Sequence, residues 1–89
     1  MVKKRERLEI IRDILTAIQK FKNIRHAKLL HSSNLSPQMF KQYIGELLEK
    51  GFIKRGETGK IKYFVLDYRG MEFLKEYRNI ENVIRNFGL

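Results

Sequence analysis

Gln38, Lys41 and Gln42, with Ser36 just ahead of them, are the side chains of this 89-residue sequence best suited to reading a polyanion. A carboxamide pairs with the donor and acceptor edge of adenine, and a lysine ammonium reaches guanine or a phosphate oxygen. Ser36 suits a helix N-cap, Pro37 the first helical position and Gly51 the stop just beyond the last turn. At about 100° per residue, Gln38, Lys41, Gln42, Gly45 and Glu49 fall opposite Phe40, Ile44, Leu47 and Leu48, with Tyr43 at the edge of the apolar stripe. An ordinary amphipathic surface helix has the same pattern, so the neighbouring segments must decide its role.

No catalytic constellation accompanies this helix. His26 and His31 stand five apart, the chain has no cysteine, and no suitable carboxylate lies near them in sequence, so no metal site is expected. Gly56-x-x-Gly59 reads as a turn rather than a phosphate cradle, and no nucleophile is paired with a base. Neither an enzyme, a cofactor nor a small-molecule substrate is expected. The absence of cysteine rules out a disulfide framework. No apolar run approaches the roughly 18 residues of a membrane span. The basic N-terminus has no apolar stretch behind it. The expected location is the cytoplasm, in association with the nucleoid.

Hydrophobic content of 43% supports a folded globule, and a net charge of +9 is large for this length. The excess is not spread evenly. Lys3, Lys4, Arg5 and Arg7 face only Glu6 in the first seven residues. Lys20, Lys22, Arg25 and Lys28 meet no acid through residue 31, and Lys54, Arg55, Lys60 and Lys62 meet only Glu57. From residue 63 onward bases and acids balance. Clustered cations release counterions from a phosphate backbone, so a polyanionic partner is the natural expectation. A generally basic, solvated surface is the rival, and the neutral last quarter speaks against it.

Leu8, Ile11, Ile14, Leu15, Ile18 and Phe21 recur at three- and four-residue steps and predict a first helix from Arg5 to about Phe21. Lys22-Asn23 breaks it. A short second helix is predicted from about Arg25 to His31, with Ile24, Ala27 and Leu30 inward, followed by a Ser32-Ser33-Asn34 turn plugged by Leu35. After the third helix, Phe52 to Arg55 and Ile61 to Leu66 read as strands joined by a reversal over 56–60. Phe64 and Leu66 are expected toward the core, with Lys62 in solvent. Asp67 caps a last helix from about Tyr68 to Asn86. Helix, short helix, turn, longer helix, two-stranded ribbon and helix is the order of a winged helix-turn-helix: mainly α, with a β-hairpin wing of two or three strands. Residues 1–67 form the winged unit, and residues 68–89 a C-terminal helix of the same domain.

Four stretches carry a family resemblance. They are Ala27-x-x-Leu30, Asn34-Leu35-Ser36, Tyr43-Ile44-x-x-Leu47-Leu48-x-x-Gly51-Phe52-Ile53 and Phe64-x-Leu66-Asp67-x-x-Gly70-x-x-Phe73-Leu74. In order and spacing the chain resembles the archaeal winged-helix regulator family over roughly residues 8–78. That family includes the small dimeric ten-kilodalton DNA-binding proteins of Sulfolobus and similar archaeal-virus domains. The family usually has Thr where this chain has Asp67, and Gly45 is untypical on the third helix.

The resemblance implies binding of double-stranded DNA, with the third helix in the major groove and the wing over a neighbouring groove or backbone. Ser36, Gln38, Lys41 and Gln42 are then the candidate base or phosphate contacts. Arg25 and Lys28, with His26 and His31, belong to the helix that crosses the backbone. Lys54, Arg55, Lys60 and Lys62 make the wing cationic, and Lys3, Lys4, Arg5 and Arg7 form a basic arm. The apolar stripe of the last helix outruns what so small a core can cover. Met71 and Leu74 are expected on the body. The rest of the stripe predicts a homodimer in which the last helices pair, antiparallel as the resemblance implies, with the first helix a candidate to share the interface. Its interface is assigned to Leu74, Tyr77, Ile80, Ile84 and Phe87. Sequence-specific transcriptional regulation is the leading function. Nonspecific chromatin architecture, a winged-helix protein-docking module and, more weakly, RNA binding are the alternatives.

Overall fold

A computed structural model describes residues 6–89. Four helices and one antiparallel hairpin follow in the expected order: α1 Arg7–Lys20, α2 His26–Ser33, α3 Pro37–Glu49, β1 Ile53–Thr58, β2 Ile61–Leu66 and α4 Tyr68–Asn86. The fold is mainly helical, with a two-stranded wing. The predicted arm at Lys3, Lys4 and Arg5 lies outside the described residues.

The core is a single cluster built from one face of each element. Ile10, Ile11, Ile14, Leu15 and Ile18 of α1 pack with Leu29, Phe40, Ile44, Leu47, Ile53, Phe64 and Leu74. The α1 stripe is helical periodicity turned inward, and Glu9 Oε1 helps start the helix by accepting from the Glu6 amide at 3.4 Å. Asn23, left-handed at φ 55°, turns the chain out of α1. The following residue bridges to the wing: the Phe64 amide donates to the Ile24 carbonyl at 2.9 Å, so Ile24 acts as a one-residue third strand.

In the second helix the structure corrects the sequence reading. Ser32 and Ser33 continue α2 rather than forming a turn. Serine and asparagine favour turns because their side chains compete for backbone partners. Ser33 does both jobs, its hydroxyl donating to the Leu30 carbonyl at 2.7 Å and accepting from the Leu35 amide at 3.3 Å. Asn34 then reverses the chain in the left-handed region, at φ 57°. Leu29 is fully buried, whereas Ala27 is exposed, so the inward face of α2 is rotated from the one expected.

At the start of α3, Ser36 Oγ accepts from the Met39 amide at 3.2 Å, with Pro37 in the first turn. Its end is a complete left-handed stop. Gly51 has φ 76°, its amide reaches the Leu48 carbonyl, and the Phe52 amide reaches that of Leu47.

The hairpin reverses later than the sequence suggested. Strand β1 runs through Gly56 to Thr58, and only Gly59-Lys60 forms the turn. Glycine in first place at φ 63° is the order of a II′ hairpin turn. Gly56 is a strand residue because Tyr63, its cross-strand neighbour, lays its ring where a β-carbon would stand.

Gly70 plays the matching part in α4. A β-carbon there would collide with the Phe52 carbonyl oxygen, and Asp67 donates its amide to that same oxygen at 2.9 Å. This close approach turns Gly70, Leu74 and the half-buried Phe73 and Tyr77 inward. Met71, expected on the body, is therefore 51% exposed. Farther along, Arg12 of α1 donates to Glu81 at 2.9 Å with its guanidinium over the Tyr77 ring, and Arg78 donates to Gln19 at 2.8 Å.

Gly70→Ala is expected to lower stability by about 1–3 kcal/mol, the usual range for an overpacked site. Urea unfolding should report it as a lower midpoint with an unchanged slope.

Candidate nucleic-acid interface

The outer face of α3 is set by what its inner face must do. Phe40, Ile44 and Leu47 are committed to the core, so Gln38, Lys41, Gln42, Gly45 and Glu49 all stand in solvent. Ser36 is exposed too, but its oxygen is engaged as the cap, which leaves its hydroxyl proton to donate outward. One exposed residue escaped the sequence reading. Met39 retains 40% of its surface beside Gln42, an apolar group amid amides.

The N-terminus of α2 lies against this helix. The His26 ring meets Phe40 edge-on at 5.1 Å and lies 6.5 Å from the ring of Phe64 on β2. Arg25 occupies the N-cap without a side-chain cap bond, and no acid stands in the first turn of α2. That end of the helix therefore combines its positive dipole with a cationic side chain. Lys28 is exposed and holds its ammonium 4.0 Å from the Phe21 ring centre, at the end of α1. His31 lines a separate depression with Asn34 and Pro37 at the α2–α3 turn.

The four wing cations do not form one row. Residues opposite each other in the ladder share a face, so Arg55, Glu57, Phe64 and Lys62 lie on the face of Ile53, toward the core. Lys54 shares the other face with Val65, Gly56 and Tyr63, and Lys60 stands in the turn. Arg55 and Lys62 line a cleft of about 200 Å³ with His26, Tyr63 and Phe64. The inner wing face and the start of α2 thus form one cationic surface, with Glu57 directly across from Lys62.

Two sequence expectations need revision. Arg7 is not part of a free arm: it opens α1, donates to Glu46 on α3 and lies over the Tyr43 ring at 5.5 Å. The hydrogen bond from Arg7 is the main cause that holds the Glu46 carboxyl below its ordinary range. Leu74, assigned to a dimer interface, is 2% exposed and belongs to the core of its own chain, so it has no surface left for a partner. Tyr77 is half-buried, whereas Ile80, Ile84 and Phe87 are exposed, together with Val83 and Leu89.

Among the described residues no group of three histidine, aspartate or glutamate side chains converges to hold a metal, and no helix is long and apolar enough to cross a membrane. An uncharacterized protein of Methanocaldococcus jannaschii is 38% identical over 52 residues, 58% of this chain, and the match spans about a quarter (24%) of that relative's length. A family model described as winged helix-turn-helix matches residues 4–85, nearly the whole sequence. With a hairpin following a tri-helical core and a polar third helix standing clear of it, the chain belongs to the winged helix-turn-helix family, whose fold points to DNA as its partner.

Proposed function

We propose that the chain is a sequence-specific double-stranded DNA-binding protein that regulates transcription as a homodimer on the nucleoid. The observation that carries this reading is the bare polar face of α3 beside the cationic cleft of Arg55, Lys62 and His26. In it, Gln38, Lys41 and Gln42 read base edges, while Ser36, Arg25, Lys28 and the wing cations hold phosphates. A salt titration tests it. Replacing Lys60 and Lys62 with Ala should weaken binding to every duplex and flatten the dependence of affinity on salt by up to about two units. An unchanged slope would remove the wing from the interface. A regulator should prefer a selected inverted repeat over random duplex by at least about 4 kcal/mol. Equal affinity for both would favour a chromatin role, and negligible affinity at about 100 mM salt would favour protein docking.

Gly45 supports close approach to a duplex. A β-carbon there would meet nothing within 4 Å, so packing inside the protomer gives no reason for glycine in mid-helix. Gly45→Ala should therefore raise stability by about 0.5–1 kcal/mol. The same variant should bind duplex less tightly. Thermal melting and fluorescence anisotropy on one preparation check both signs.

The dimer reading rests on the exposed Ile80, Val83 and Ile84 of α4 and Phe87 at its C-cap. A groove of about 310 Å³ adjoins them, lined by Leu8 and Glu9 of α1 and by Phe73, Tyr77, Ile80 and Ile84. Apolar surface of this extent favours a partner. Sedimentation equilibrium should give a dimer at micromolar concentration, and Ile84→Glu with Phe87→Glu should return the monomer.

A further inference from the structure

Arg7 leaves its own helix to reach another. Its Nη2 donates to Glu46 Oε1 and its guanidinium lies 5.5 Å from the Tyr43 ring centre. Lys50 Nζ takes the other Glu46 oxygen at 3.4 Å. Arg7, Tyr43 and Glu46 line a depression of about 250 Å³ on the flank of α3 together with Met39 and Gln42. Gln42 belongs to the outward polar face, so this depression opens at its edge.

Stability gives a weak reason for such a cradle. The Arg7 side chain is 55% exposed and that of Glu46 29% exposed, and ion pairs in water contribute little to folding. Orientation gives a stronger one. A guanidinium carries five donors in a rigid fork, and Glu46 occupies a single nitrogen. The ring below and the carboxylate beside it hold the remaining donors in one attitude. Charge balance points the same way. Glu46 alone would repel a phosphate backbone, but Arg7 and Lys50 together leave the flank with an excess positive charge.

Building on the DNA-binding reading, we propose that Arg7 is a further DNA-contact residue, delivered by α1 to the flank of α3, with Glu46 and Tyr43 as its positioning residues. The group it takes presents paired oxygen or nitrogen acceptors: a backbone phosphate or the major-groove edge of guanine, both of which match the guanidinium fork.

The test uses the full chain with two duplexes, one selected by the wild-type protein from random sequence and one unselected. Arg7→Ala should weaken binding to the selected duplex about tenfold at about 100 mM salt and lower the salt slope by about one unit. Equal loss on both duplexes assigns Arg7 to phosphate. Loss confined to the selected duplex, with relaxed preference at one base pair, assigns it to guanine. Glu46→Gln breaks the same pair but keeps the cation, so it should raise affinity for unselected duplex and narrow the ratio between the two. If both variants lose thermal stability alike while affinity and slope stay at wild-type values, the pair is a structural tie and the inference is overturned. If the wild-type protein binds neither duplex, the DNA-binding reading fails first and takes the inference with it.

Discussion

Helix α3 and the wing are tied together by a small aromatic junction around His26. Phe40 is fully buried beneath α3, and the His26 ring stands edge-on against it while facing Phe64 of β2. Phe64 is fixed in turn by the bond from its amide to the Ile24 carbonyl, two residues before His26. One aromatic from each of α3 and β2 therefore meets the start of α2. The hairpin is only two strands and marginal by itself, so it leans on this junction together with Ile53 in the core and the Ile24 bridge. The junction thus positions the polar surface proposed to meet DNA, with Phe40 behind that surface and His26 and Phe64 lining its cleft.

Much of this fold was legible in the sequence, and the misses share a cause. Residues that act locally declared themselves: Ser36 with Pro37 starts α3, Gly51 ends it, and Asp67 accepts from the Tyr68 amide at the start of α4. Residues whose type is explained by a distant partner did not. Gly56 looked like a turn-former, yet it is glycine because Tyr63 covers it across the hairpin. Met71 fitted the apolar stripe of the last helix, but Gly70 must pass the Phe52 carbonyl, and that contact rotates Met71 outward. Ser33 looked like loop chemistry because its two hydrogen bonds to backbone appear only once the chain is folded.

The same divide runs through the candidate site. The exposure of Gln38, Lys41 and Gln42 followed from helical spacing, since burying Phe40, Ile44 and Leu47 leaves them nowhere else to point. The division of the wing cations between two faces required the strand register, which the misplaced turn had hidden. Arg7 was read with its neighbours in a basic run because its partner, Glu46, is 39 residues away. Charge counting along the chain finds clusters; it does not tell which charges are already spent on one another.

The placement of acids is the last constraint on how the molecule meets its partners. Glu6, Glu9, Glu76 and Glu81 all line the groove between α1 and α4, around Leu8, Tyr77 and Ile80, and of these Glu81 is paired with Arg12. On the other surface Glu46 is paired with Arg7 and Lys50, Glu57 stands across the hairpin from Lys62, and Glu49 is an exposed acid on α3. One side therefore offers cations around a polar helix, and the other an apolar groove with an acidic rim. A phosphate backbone is attracted to the first and repelled by the second, since clustered charge of one sign steers a polyanion. Association of α4 with a second copy would then cover the side that nucleic acid avoids and leave α3 and the wing of each protomer open. The segregation of charge makes the proposed dimer and the proposed DNA contact compatible rather than competing.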